Sequence, residues 1–300
     1  MKKRLLSMLV VGLMAVSMLA GCGSGSDADT TGSEQAETVT QDDVQEAESG
    51  STEKKVFRVG MECSYSPFNW TQSDDSNGAV MIQDSSDYTY GYDVEIAKRI
   101  CEANDWELEV YKIEWDGLIL ALNANKIDAI IAGMGVTEER KQSVDFSDSY
   151  WTAQMCMIVK ADSEYVNATS LEDFKGTKVT SQLNSLWMDL IKQIPDVDEQ
   201  PGLGGNSEIL VAVRSGKLDA TILGETEAVS AVYANPDLAM VTFEEGKGFE
   251  VSEEECSAAV ATKKGETDLI EAVNATLAKI TPEERSELME QMISIQPMAE

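Results

Sequence analysis

Apolar residues recur along residues 56–300 with two periods, one of helices and one of buried strands. Over 93–103, Val94, Ile96, Ala97, Ile100 and Cys101 share one face at helical spacing, which predicts an amphipathic helix. Runs at 127–132 and 218–223 are apolar without strict alternation, a pattern that suits strands covered on both faces of a parallel sheet. Further strands are predicted at 56–61, 107–113, 155–160, 178–181 and 239–243. Helices are predicted at 115–123, 186–193 and 207–214. The last two helices, 267–280 and 282–293, meet at Thr281. That residue can cap the second helix, with Pro282 at its first position and Glu284 three residues on. Helices alternating with strands imply α/β layers.

A repeat organises these elements. Residues 121–133 (ALNANKIDAIIAG) and 212–224 (AVRSGKLDATILG) are identical at six of thirteen positions. Each joins the end of a helix to a turn and an apolar strand that stops at glycine. Two related α/β halves are expected. Ligands of open parallel sheets bind beyond the carboxyl ends of the strands, so Gly133 and Gly224 should face a common cleft if the halves oppose each other.

The pattern before residue 56 is different. Lys2, Lys3 and Arg4 precede an apolar run over 5–20, broken only by Ser7, Gly12 and Ser17. As a helix that run rises about 24 Å, short of a hydrocarbon core of roughly 30 Å. With small residues before Cys22, residues 1–22 read as a secretory signal peptide, and the ending Leu19-Ala20-Gly21-Cys22 resembles the bacterial lipobox. That resemblance implies a lipidated Cys22 as the first mature residue, and so a membrane anchor. Residues 23–55 are Gly, Ser, Thr and acidic, with too little apolar surface to fold, and are expected to be a disordered tether.

Charge and composition narrow the function. Of 300 residues 54 are acidic, 23 basic and none is histidine, a formal net charge of −31. The body alone, 56–300, keeps 45 acidic and 18 basic residues. Such a surface repels phosphate, so no nucleic-acid partner is expected. Without histidine, Ser-His-Asp and Cys-His catalysis and His-ligated zinc are excluded. No metal or other cofactor is implied. Cys63, Cys101, Cys156 and Cys256 lie in an exported body without a CxxC spacing; they allow two disulfides in any of three connectivities, or four buried thiols.

Several blocks, in order, carry a family resemblance. They are Tyr65-Ser66-Pro67-Phe68-Asn69-Trp70, Gly91-Tyr92-Asp93-Val94-Glu95-Ile96-Ala97, Trp115-Asp116-Gly117-Leu118 running into Lys126-Ile127-Asp128, Gly133-Met134-Gly135-Val136-Thr137-Glu138-Glu139-Arg140-Lys141, and Asp145-Phe146-Ser147. Over 56–300 the chain resembles the bacterial extracellular solute-binding proteins of family 3, the amino-acid-binding components of ABC importers. The resemblance implies a bilobed periplasmic-binding-protein type II fold, two α/β lobes joined by two crossover strands near 153 and 256. Lobe 1 would be 56–153 plus 257–300, and lobe 2 would be 154–256.

Thr137 and Arg140 lie three apart where a strand passes into a helix. Thr137 is a good N-cap, and Arg140 offers a fork of donors matched to a carboxylate. The family uses these two positions for the ligand's α-carboxylate. Tyr65 and Trp115 match the positions whose rings sandwich the ligand side chain; Trp70 and Tyr92 are weaker candidates beside them. Glu62 falls where members that bind basic amino acids carry an acid for the distal ammonium. Gln182, Asn184 and Ser185 match the opposing lobe's contact to the carboxylate, with Ser185 expected to cap the following helix.

Two positions depart from the family. Gly224 stands where an acid commonly holds the α-ammonium, and Gly135 where Ser or Thr is usual. Glu225 is adjacent to the first. Either Glu225 reorients, water fills the gap, or the ligand lacks a standard α-amino group. The expected function is a lipid-anchored, monomeric, extracytoplasmic receptor that delivers a small amino-acid-like carboxylate to a permease and its ATPase. A ligand sensor or surface interaction module on the same fold is the alternative. A dehydratase-like enzyme, relying on Glu62, Glu225 or Lys178, is the third reading, and no acid and base stand paired at a useful spacing for it.

Overall fold

The computed structural model describes residues 54–298. The signal sequence, Cys22 and nearly all of the tether lie outside the described residues. In chain order the first half runs β1 (Lys55–Met61), β2 (Ser64–Tyr65), β3 (Asn69–Gln72), β4 (Val80–Met81), β5 (Tyr88–Tyr90), α1 (Tyr92–Asn104), β6 (Trp106–Lys112), α2 (Leu118–Asn123), β7 (Ala129–Ile130), α3 (Glu138–Lys141) and β8 (Val144–Thr152). The second half runs β9 (Met155–Lys160), β10 (Lys178–Thr180), α4 (Leu186–Leu190), β11 (Asp198–Glu199), α5 (Asn206–Arg214), β12 (Ala220–Gly224), α6 (Glu225–Ala234), β13 (Leu238–Val241), β14 (Ser257–Lys263), α7 (Thr267–Leu277) and α8 (Pro282–Ile295).

Two five-stranded sheets define two lobes. In the first, with order β6-β1-β7-β14-β8, β1 is parallel to β6 and β7, and β14 is antiparallel to β7 and β8. In the second, with order β11-β10-β12-β9-β13, β10 is parallel to β11 and β12, and β9 is antiparallel to β12 and β13. The two orders are the same plan used twice. The repeated sequences end on β7 and β12, which hold the same place in each plan, so the sequence repeat falls where the topology repeats. The chain crosses from the first sheet to the second between β8 and β9, and returns between β13 and β14.

Burial explains the composition of these strands. β12 is buried at every residue and β14 at all but its last, so apolar and small residues run through them without alternation. Helix α1 packs Val94, Ile96, Ala97, Ile100 and Cys101 into the first lobe's core, and α8 contributes Leu288, Met289 and Met292 to the same core. The second lobe packs on both faces of its sheet, around Phe174, Val179 and Ile191 on one side and Ile209, Val213 and Leu238 on the other. A small antiparallel sheet, β2-β3-β5-β4, decorates the first lobe. Among the described residues no helix is long and apolar enough to cross a membrane. Cys63, Cys101, Cys156 and Cys256 are buried free thiols.

Candidate functional site

The carboxyl ends of β1, β7, β10 and β12 converge on a cavity of about 60 Å³ that opens to solvent. Of the sequence-predicted residues, Glu62, Tyr65, Trp115, Gly133, Gly135, Arg140, Gln182 and Ser185 line it. They come from both lobes, and hydrogen bonds close the gap between them. Gln182 Nε2 donates to Glu62 Oε1 at 2.6 Å. The Trp115 indole donates to the Asn184 carbonyl at 3.2 Å, and Asn184 Nδ2 to Asp116 Oδ1 at 2.8 Å. The Trp151 indole donates to Thr226 Oγ1 at 2.9 Å.

Arg140 supplies the positive charge. Its guanidinium carbon sits 5.0 Å from the centre of the Trp115 ring, and Nη1 donates to the Gly135 carbonyl at 2.8 Å. No carboxylate pairs with it among the described residues. Burial pulls its pKa down to about 10, against the opposing influence of Glu139 and Asp189. The group stays charged, and its remaining donors suit an anion. Thr137 stands behind this arrangement. Its hydroxyl accepts from the Arg140 backbone amide at 3.2 Å, capping α3, and it does not line the cavity.

Gly135 is glycine because another backbone passes close by. A Cβ there would lie 2.9 Å from the Glu255 carbonyl of the returning crossover, so Ser or Thr does not fit. The Gly133 amide donates to the Tyr150 hydroxyl at 2.9 Å, and that hydroxyl donates to Asp93 at 2.7 Å. Asn69 donates to the same carboxylate at 2.8 Å. This buried chain fixes the rim at Gly133. Burial still raises the Asp93 carboxyl to about 6, with both hydrogen bonds opposing.

The acids differ from the sequence reading. Glu62 is buried in the cavity wall, and desolvation pushes its carboxyl up to about 7 despite the Gln182 bond. Glu225, in contrast, is exposed on grooves outside the cavity and takes no part in lining it. The acid that does line it is Glu227, two residues on, which is only 8% exposed. Glu227 is the third residue of α6, and Gly224 is the N-cap. An acid at that position folds back toward the cap. Its carboxylate occupies the space where a Cβ on Gly224 would stand. One oxygen accepts the Tyr65 hydroxyl, and the other, Oε2, has no hydrogen-bond partner among the described residues. Burial raises its pKa. Glu227 thus places a carboxylate beside Gly224, a position that itself has none.

Ser185 also corrects an expectation. It stands at the N-cap of α4, but its side chain makes no capping bond and donates instead to the Gln182 carbonyl at 2.6 Å. Phe68, Trp151 and Trp187 line the cavity without having been singled out. Trp187 approaches Tyr65, with ring centres 6.1 Å apart. Trp70 and Tyr92 pack in the first lobe's core rather than on the cavity. Glu227 is hidden in the sequence because no apolar stripe marks 225–234 as a helix. The sequence Gly-Glu-Thr-Glu after an apolar strand, with an acid third from a cap, is the signal that marks it.

Known proteins share this construction. An arginine-binding extracellular protein of Bacillus subtilis, ArtP, is 28% identical over 282 residues, 93% of each chain. The L-cystine-binding protein TcyJ of Escherichia coli is 27% identical, over 90% of this chain and 89% of its own. A crystal structure of the amino acid ABC transporter substrate-binding protein AbpA from Streptococcus pneumoniae, bound to L-arginine, superposes with a TM-score of 0.66 at 27% identity, over 80% of this chain and 94% of that one. An ancestral arginine-binding protein bound to arginine gives 0.64 at 31% identity, over 80% and 98%. These are binders of solutes rather than enzymes. The family model of the bacterial extracellular solute-binding proteins, family 3, matches residues 57–294, and the chain belongs to that family.

Proposed function

We propose that the protein captures an α-amino acid whose side chain ends in a cation, and delivers it to an ABC permease. One observation carries the reading: a half-buried guanidinium, Arg140, faces a cavity walled by two buried acids and has no acid of its own among the described residues. The ligand's carboxylate takes the Arg140 fork. Its α-ammonium takes the open Oε2 of Glu227. Tyr65 and Trp115 hold the aliphatic stem, and the distal cation reaches Glu62. Gly133 and Gly135 keep the rim low, Thr137 fixes the Arg140 backbone, and Gln182 and Ser185 form the facing wall.

Charge counting supports the same ligand. One guanidinium and the two buried carboxylates, Glu62 and Glu227, are complemented by one carboxylate and two cations, an amino acid of net charge +1; Glu255, also on the lining, is partly exposed and takes its hydrogen bonds from Ser252. A neutral amino acid would leave one buried acid to be met by a proton instead. One relative named for arginine and one solved with arginine bound fit that count.

The lobes are 56–153 with 257–300, and 154–256, and they close on the ligand by bending at the crossovers. Residues 23–55 tether this body to a lipid on Cys22, at the outer face of the cell membrane, where a monomer reaches its permease and ATPase. Calorimetric titration with arginine, lysine, glutamine and glutamate tests the ligand class. Arginine or lysine should bind at least roughly tenfold more tightly than glutamine. Tighter binding of glutamine or glutamate than of either cation would overturn the reading.

A further inference from the structure

We infer that the Tyr65 hydroxyl is a positioning group that holds Glu227 ionised and aimed at the ligand's ammonium, so that cation recognition is assembled only when the two lobes meet. This rests on the proposed role of Glu227 and goes beyond it. Tyr65 belongs to β2 of the first lobe and Glu227 to α6 of the second. Their hydrogen bond therefore joins the two lobes. Both residues also line a second cavity, shared by the carboxy-terminal residues Gln296 and Met298, so the pair forms part of the partition between two spaces.

Tyr65 is the one side chain that donates to Glu227 among the described residues. Its carboxylate is buried, with Tyr65 on β2 donating to it and Asp93 on α1 and Cys156 on β9 within reach of its charge. Glu62 and Arg140 face the same cavity, and neither is bonded to it. Desolvation favours its protonated form. Opposing it are the Tyr65 hydroxyl and the amide of Glu227 itself. A protonated Glu227 would lose the charge that attracts an ammonium.

The donor is held rigidly. The Tyr65 ring stacks on Phe68 with centres 5.3 Å apart and planes 12° from parallel, and Trp187 closes a further side. Glycine at 224 leaves the carboxylate room to lie between the hydroxyl and the cavity. Removing only the oxygen of Tyr65 keeps the ring and its packing. The change should appear in ligand affinity and its pH dependence more than in the fold.

The test measures arginine affinity by calorimetry from pH 5 to 9, in a Glu62→Gln background that removes the titration of Glu62. Relative to that parent, Glu227→Gln should bind roughly a hundredfold more weakly at pH 8 and lose the acidic limb that belongs to Glu227. Tyr65→Phe should bind roughly tenfold more weakly at pH 7, with that limb moved to higher pH. Gly224→Ala, whose Cβ collides with the Glu227 carboxylate, should reproduce the Tyr65→Phe loss while leaving the hydroxyl in place. Superimposable profiles for Tyr65→Phe and the parent, with Glu227→Gln still weak, overturn the inference alone. Parental affinity in Glu227→Gln overturns the ammonium assignment on which it rests.

Discussion

Gly224 and Glu227 show what a single residue can hide. Taken alone, Gly224 reads as a lost ammonium partner, and its neighbour Glu225 as the nearest substitute. One step along a helix turns a side chain by about 100°, so Glu225 points to solvent and Glu227 returns over the cap. Arg140, Tyr65 and Trp115 stand out in the sequence because each sits in a block with a characteristic order, and Glu62 because it lies three residues before one of them. Glu227 does not, because its place depends on where a helix begins. The buried acids also set a pH dependence. Glu62 has its folded pKa raised to about 7, so between about pH 4.5 and 7 the unfolded chain releases a proton that the folded one keeps. Stability of the ligand-free protein should therefore fall as pH rises through that window. Glu62→Gln should remove much of the fall, and at pH 7.5 should stabilise the ligand-free protein by on the order of 1–3 kcal/mol. Urea unfolding at pH 5 and 7.5 checks this; a ligand-free protein that gains stability from pH 5 to 7.5, equally in both forms, would contradict it.

Elements with a single clear period were read closely. α1 covers 92–104 against an expected 93–103, and β1, β9 and α5 agree to within a residue. Buried or irregular elements escaped. β14 is rich in alanine and covered on both sides, and β8 mixes serine and aspartate with aromatic residues. α6 buries Ala228 and Ala231 while Val229 and Tyr233 are exposed, so no apolar stripe marks it. The strands of the small sheet are two to four residues long, too short for a period to show. The cap of α8 was visible at once and is fully formed: Thr281 accepts from the Glu284 amide at 3.2 Å, and Glu284 accepts from the Thr281 amide at 2.8 Å. Thr281→Ala should cost about 1 kcal/mol of stability with ligand affinity unchanged. Thermal unfolding beside calorimetry separates the two quantities; altered affinity would tie α8 to closure.

At the scale of the whole molecule, the two lobes repeat one topology and meet through side chains that belong to different sheets. Contacts made only in the closed form add to apparent affinity without touching the ligand. Asn184 makes a contact that joins the two lobes. Its backbone is left-handed, with φ of 56°, and its amide reaches Asp116 at 2.8 Å across the cleft. Asn184→Gly keeps that backbone accessible and removes the bridge. Dissociation of ligand should become roughly two- to fivefold faster, by stopped-flow, with thermal stability of the ligand-free protein little changed. An unchanged rate would show that the bridge does not contribute to closure.

The central claim is that Arg140 holds the ligand's carboxylate while Glu227 and Glu62 divide its two cations. A crystal structure of the arginine complex tests it most directly. The ligand's carboxylate should lie within about 3 Å of the Arg140 guanidinium, its α-ammonium against Glu227 Oε2 and its guanidinium toward Glu62. A ligand seated with its carboxylate away from Arg140, or with Glu227 turned out of the cavity, would contradict the account.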